Sequence, residues 1–77
     1  MKKIIMYSTP TCHYCNLAKD FFDTNKIDYT VFDVASDLEK RKEMVSKSGQ
    51  MGVPVIDIEG KITVGFDEDR IKDILEM

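Results

Sequence analysis

The chain has 77 residues, of which 43% are hydrophobic and 32% charged; 14 acidic against 11 basic side chains leave a formal charge of −3. One domain over residues 1–77 is expected, with a thin core, because folding at this size removes only about 60% of the unfolded chain's surface. The balance excludes disorder and low-complexity character. With no basic arm in either half, it also excludes nucleic-acid binding driven by phosphate neutralisation.

In chain order, the first strand is expected at Lys3–Tyr7, a short β-branched and aromatic run that ends in Ser8-Thr9-Pro10-Thr11. The apolar stretch Ile4-Ile5-Met6-Tyr7 after Lys2-Lys3 is too short for a signal-peptide core or a membrane span. A cytoplasmic location and no membrane partner are therefore expected. From His13 to Asn25 the apolar residues Cys15, Leu17, Ala18, Phe21 and Phe22 recur at helical spacing, while Lys19, Asp20 and Asp23 take the other side. Thr24-Asn25-Lys26 breaks that helix, and Ile27–Ala35 reads as a second strand.

Ser36 or Asp37 caps a second helix that runs to about Lys47, with Glu39 at capping-box spacing from Ser36 and Gly49 as a left-handed end. Lys40-Arg41-Lys42 reads as the solvated face of this helix, with Met44 and Val45 turned inward. Met51-Gly52-Val53-Pro54 leads into a third strand, Val55–Ile58, and Glu59-Gly60 turns the chain into Lys61–Val64. After Gly65-Phe66 a last helix spans Asp67–Leu75, with Ile71, Ile74 and Leu75 on one face. The order β-α-β-α-β-β-α implies an α/β fold. Its early βαβ unit gives a parallel pair, and its later hairpin adds antiparallel strands, making a four-stranded mixed sheet flanked by helices.

Cys12 and Cys15, the only two cysteines, stand where the first strand hands over to the first helix. A bridge across so short a loop would constrain little of the unfolded chain, and a cytosolic protein has little use for a structural one. At or beside the helix N-cap, Cys12 meets unpaired backbone N–H groups and the positive end of the helix dipole, which favour a thiolate and hence a nucleophile. Cys15, one turn on, is the more buried sulfur and can reach Cys12. That asymmetry suits thiol–disulfide exchange, with Cys12 attacking and Cys15 resolving. His13 and Tyr14, between them, shape the polarity around Cys12. An intramolecular zinc site lacks a second C-x-x-C and has only His13 to offer, so no metal is expected in the site. A metal or cluster bridging two copies through an external thiol, and an inert cysteine pair, remain as alternatives.

Tyr7-Ser8-Thr9-Pro10-Thr11-Cys12-His13-Tyr14-Cys15, followed by Gly52-Val53-Pro54 and Gly65-Phe66-Asp67, resembles a glutaredoxin, more narrowly a small bacterial one. The resemblance runs over essentially the whole chain. It implies a thioredoxin-like fold with a cis peptide before Pro54, and a dithiol mechanism in which Cys12 and Cys15 form the redox-active disulfide. It further implies glutathione as co-substrate, no tightly bound cofactor, disulfide-containing proteins as partners, and a monomer.

The site it implies for glutathione or another thiol substrate comprises Tyr14, Val53, Pro54, Gly65, Phe66, Asp67 and Glu68. There the Val53 N–H and C=O pair with the extended thiol peptide as an added strand, and the start of the last helix receives the γ-glutamyl end. Three positions depart from the family pattern. Thr9 stands where many members carry Lys or Arg, Gly52 replaces the usual Thr, and Gly65-Phe66 replaces Gly-Gly. A Gly-Phe pair also occurs in small redoxins that thioredoxin reductase reduces and that donate electrons to ribonucleotide reductase, so thioredoxin reductase is the alternative partner. Phe66 either fills space that the tripeptide would take or belongs to the core under the last helix.

Overall fold

Seven elements follow one another in a computed structural model that describes residues 3–77: β1 (Ile4–Ser8), α1 (His13–Thr24), β2 (Thr30–Asp33), α2 (Leu38–Ser48), β3 (Val55–Ile58), β4 (Lys61–Val64) and α3 (Glu68–Leu75). Met1 and Lys2, the start of the expected domain, lie outside the described residues. The sheet order is β2-β1-β3-β4. β1 runs parallel to β2, with Ser8 opposite Asp33, and antiparallel to β3, with Tyr7 opposite Val55 and Ile4 opposite Ile58. β4 is antiparallel to β3, with Val64 opposite Val55. This is the mixed four-stranded sheet expected from the element order.

Side chains alternate across the sheet and build two cores. Ile4 and Met6 of β1 and Ile56 and Ile58 of β3 face α1 and α3, where Ala18, Phe21, Phe22 and Ile71 close over them. Tyr7 and Val55 point the other way, onto Met44 of α2 and onto Val34. All four residues of β3 are buried, as befits a central strand covered on both faces. The Glu59-Gly60 turn has φ of 52° and 91°, the paired left-handed conformation that matches the twist of a tight hairpin.

The second strand is shorter than the expected Ile27–Ala35, and both ends have a cause. Lys26 adopts φ 56°, and its N–H donates to the Asp23 carbonyl at 3.1 Å, while the Ile27 N–H donates to the Phe22 carbonyl at 2.8 Å. This pair of bonds is the Schellman ending of α1, so Ile27 belongs to the helix terminus and packs on its core. At the far end, the Asp33 carboxylate accepts from the Ala35 N–H at 2.9 Å and turns the chain out of the sheet.

For α2 the cap is Asp37, whose carboxylate accepts from the Lys40 N–H at 3.1 Å; the Ser36 hydroxyl instead donates to the Asp33 carbonyl, and the Ser36–Glu39 box does not form. Its basic run is also less solvated than expected. Arg41 Nε donates to the Val34 carbonyl at 3.2 Å, and Lys40 Nζ sits 4.2 Å from the centre of the Phe32 ring. Asp67 is the N-cap of α3 rather than its first residue, accepting from the Arg70 N–H at 3.2 Å.

Candidate functional site

Three chain segments meet at one end of the sheet because the register brings them there. Ser8 ends β1 and leads through Thr9, Pro10 and Thr11 to Cys12. Val53-Pro54 enters β3 at Val55, opposite Tyr7, and Gly65-Phe66-Asp67 leaves β4 at Val64, opposite Val55. The Gly65 N–H donates to the Pro54 carbonyl at 2.8 Å, fastening the second segment to the third, with Gly65 at φ 79°. The Val53–Pro54 bond is cis.

Cys12 occupies the N-cap of α1 with extended backbone angles, and its N–H donates to the Thr9 carbonyl at 3.3 Å. Its sulfur does what a capping oxygen does elsewhere: Sγ accepts from the Cys15 N–H at 3.1 Å. An N–H aimed at the sulfur, at the positive end of a helix, stabilises negative charge there once the cysteines are reduced. The two sulfurs are joined as a disulfide across a Cα–Cα separation of 5.2 Å. Cys12 is half-buried and Cys15 has no exposed surface (0%), so a reagent from solvent meets Cys12 first. Tyr14 stands 59% exposed beside them, with the exposed His13 ring against it at 5.6 Å between centroids.

Opposite the dithiol segment, Pro54 is buried and the Val53 side chain leans on the Tyr7, Val34 and Met44 cluster. Among the described residues, neither the Val53 N–H nor its C=O makes a hydrogen bond. Phe66 is half-buried against the α1 and α3 core, with its ring centroid 5.9 Å from that of Phe21. Its ring thus packs under the last helix, the second of the two placements open from the sequence. Asp67 is engaged as the α3 cap, and Glu68 is exposed with its carboxylate 3.6 Å from Lys72 Nζ. The seven residues of the expected substrate site therefore lie on segments that share this end of the sheet, with Phe66 turned inward and Tyr14, Asp67 and Glu68 outward.

The sequence reading missed two groups. Gln50 folds its carboxamide back onto Gly52, next to Val53. On the α2 side of the sheet, Asp57, 8% exposed in the central strand, accepts from Lys47 Nζ at 2.8 Å and from the Gly60 N–H at 2.8 Å. Lys47 also donates to the Tyr7 hydroxyl at 2.9 Å, and that hydroxyl donates to Glu43. The bonds to Asp57, and then to Tyr7, hold the Lys47 ammonium well above the usual lysine range. Burial, and then the neighbouring Glu43 carboxylate, push the Tyr7 phenol up, while the hydrogen bond from Tyr7 pulls Glu43 down. An aspartate inside the otherwise apolar Val55-Ile56-Asp57-Ile58 was the available signal, since a charge in a central strand demands a partner.

One concave surface, about 440 Å³ and lined by Ile4, Ile27 and Leu75 among others, opens at the opposite end of the sheet. A second, about 350 Å³, runs between α1 and α3 past Leu17, Phe21 and Phe66. Among the described residues no three His, Cys, Asp or Glu side chains gather where they could share a metal ion, and no helix is long and apolar enough to cross a membrane.

Comparison with known proteins places these features in a wider group. Residues 4–63 match the family model described as Glutaredoxin. A protein of Clostridium pasteurianum, described as an uncharacterized glutaredoxin-like 8.6 kDa protein in the rubredoxin operon, is 45% identical over 73 residues, covering 95% of this chain and 97% of its own. Glutaredoxin 3 of Escherichia coli (strain K12) is 29% identical over 68 residues, or 88% of this chain and 82% of that protein. Among solved structures, a thioredoxin-like protein carrying a point substitution superposes with a TM-score of 0.91 at 30% identity, over 99% of this chain and 97% of the other. The four-stranded sheet with its three helices is thus a thioredoxin-like fold.

Proposed function

The chain belongs to the glutaredoxin family and is a thiol–disulfide oxidoreductase, and on that premise we propose that Cys12 is its nucleophile, Cys15 its resolving thiol and glutathione its reductant. The observation that carries the assignment of roles is the asymmetry of the pair. Cys12, a half-buried residue, receives the Cys15 N–H on its sulfur at a helix start, while Cys15 itself is fully buried. In the reduced protein, the Cys12 thiolate attacks one sulfur of a substrate disulfide and forms a mixed disulfide, and the other substrate sulfur leaves as a thiolate. The Cys15 thiolate then attacks Cys12 Sγ and expels the second substrate thiolate. Two electrons have passed to the substrate, and the Cys12–Cys15 disulfide remains. Two molecules of glutathione return the protein to its dithiol and leave as glutathione disulfide.

The free N–H and C=O of Val53 support docking of an extended thiol peptide, which would pair with them as an added strand. Tyr14 flanks the attacking sulfur, Pro54 and Gly65 fix the docking segment, and Phe66, Asp67 and Glu68 border the far end of the tripeptide. Cys12→Ser is expected to abolish all exchange, whereas Cys15→Ser keeps reduction of glutathione mixed disulfides and loses reduction of protein disulfides. Activity surviving in Cys12→Ser would overturn the assignment.

A second reading has one observation in its favour. Thr9 brings no charge to meet a glutathione carboxylate. This favours a protein thiol, with thioredoxin reductase as the electron source. NADPH oxidation coupled through glutathione and glutathione reductase, run against thioredoxin reductase alone, separates the two; turnover in the second couple only would remove glutathione from the mechanism.

A further inference from the structure

Between the end of α2 and the buried Pro54, the chain crosses the substrate end of the sheet through Gln50-Met51-Gly52-Val53 without a strand beside it. A four-residue span of this kind, containing a glycine, has wide conformational freedom, and glycine loses more of that freedom on ordering than any other residue. Yet the proposed docking step needs the peptide groups of Val53 presented in one arrangement. The side chain of Gln50 supplies the missing constraint. Its Nε2 donates to the Gly52 carbonyl at 3.1 Å, and its Oε1 accepts from the Gly52 N–H.

One carboxamide thereby meets both main-chain groups of one residue, the two-bond exchange that an antiparallel strand makes with its neighbour. The carboxamide is held in turn, since Nε2 also lies 3.3 Å from Ser48 Oγ. That hydroxyl is fixed at the helix end, 2.8 Å from the Met44 carbonyl and 2.9 Å from the Gln50 carbonyl. The main-chain groups of Val53, next along, are left without partners among the described residues.

Gly52 leaves room for the Gln50 carboxamide. A Cβ at position 52 would lie 2.7 Å from Gln50 Oε1, so any side chain there displaces the carboxamide. A β-branched residue would stiffen the segment by its own sterics and need no such clip. Glycine leaves the segment loose and admits the clip that tightens it.

We propose that Gln50 is a positioning residue for substrate docking, its carboxamide standing in for a neighbouring strand at Gly52 and so presenting the free N–H and C=O of Val53 to an extended disulfide peptide. This rests on the thiol–disulfide exchange through Cys12 set out above. The side chain touches no reacting atom, so its effect falls on how much substrate is needed and not on the rate of sulfur transfer.

The test is a single-turnover reaction of the pre-reduced full chain with a peptide–glutathione mixed disulfide, followed over substrate concentration, which makes the result independent of the physiological reductant. Gln50→Ala is expected to raise the half-saturating concentration about tenfold, the scale of one or two net hydrogen bonds, and to leave the limiting rate and the alkylation rate of Cys12 by iodoacetamide within about twofold. Gln50→Ala combined with Gly52→Thr restores the half-saturating concentration, because the β-branched residue replaces the clip.

An unchanged half-saturating concentration in Gln50→Ala overturns the proposal. So does a fall in limiting rate and alkylation rate that matches the loss of affinity, which would mark general loosening. A double variant no better than Gln50→Ala overturns it as well. Failure of the wild-type chain to react, or reaction surviving in Cys12→Ser, strikes instead at the exchange mechanism beneath it.

Discussion

At the scale of single residues, charge placement divides the molecule into a reactive side and a holding side. Cys12 has its sulfur served by a main-chain N–H, with no ionised side chain required. Among the described residues the closest ion pair lies across the sheet, where Lys47 ties Asp57 to Tyr7 and Tyr7 ties itself to Glu43. Lys47→Met leaves the nearly buried Asp57 carboxylate with the Gly60 N–H alone. We expect a loss of about 2 kcal/mol in urea unfolding, with unchanged alkylation of Cys12. Replacing both partners, Lys47→Met with Asp57→Leu, recovers most of that loss, since no unpaired charge then remains buried. A double variant as unstable as the single one would show that Lys47 acts through its ammonium on Tyr7, 5.4 Å from the ring centre, and not through Asp57.

At the scale of elements, helix ends decide where strands begin. α1 closes on Lys26 and α2 on Gly49, both with positive φ, of 56° and 74°. A lysine in that conformation is strained where a glycine is not. Lys26→Gly should therefore raise stability by up to about 1 kcal/mol, and Gly49→Ala should lower it by about 1 kcal/mol, both read as shifts in the urea midpoint. The Gly49 value is purely conformational, because a Cβ there meets nothing within 4 Å. Equal signs for the two substitutions would contradict this account.

The same two ends explain what could be read from the sequence. Gly49 is a visible stop, so α2 was legible to within a residue at its end, and the Glu59-Gly60 turn gave β3 and β4 their bounds. Lys26 carries no such mark, so the chain after α1 looked extended from Ile27, where the helix terminus still holds it. The Cys12–Cys15 pair was legible because its spacing and its place at a strand-to-helix junction are local. The Gln50 clip and the Lys47–Asp57 tie were not, since each depends on where a long side chain folds back.

For the whole molecule, pH dependence follows from the holding side. Tyr7 and Lys47 keep their protons to higher pH in the folded chain than in the unfolded one, where they titrate near about 10 and 10.4. Their contribution is complete below about pH 10 and is lost as pH rises further, because the unfolded chain then releases protons that the folded chain retains. Glu43 has the opposite sign: its folded carboxyl loses its proton more readily, so its contribution is present above about pH 4.3 and lost on acidification. With the disulfide intact the cysteines do not titrate. Urea midpoints of the oxidised protein should therefore be level from about pH 5 to 9 and fall on both sides. A midpoint that holds steady to pH 11 would mean that Tyr7 and Lys47 are not tied as described.

The sheet order β2-β1-β3-β4 has a consequence for how the chain is made. Of the four strands β1 is made first, yet it lies inside the sheet, and its second neighbour is β3, at Val55–Ile58. At about 5–20 residues per second of translation, the Ile4–Ser8 segment waits several seconds with one edge unpaired. α3, which brings Ile71 onto Ile4 and Met6, comes later still. A nascent chain halted before Val55 has no partner for that edge, so the sheet closes only once β3 has been synthesised. Of the four strands, the one made first is enclosed only after β3 and α3 have followed it.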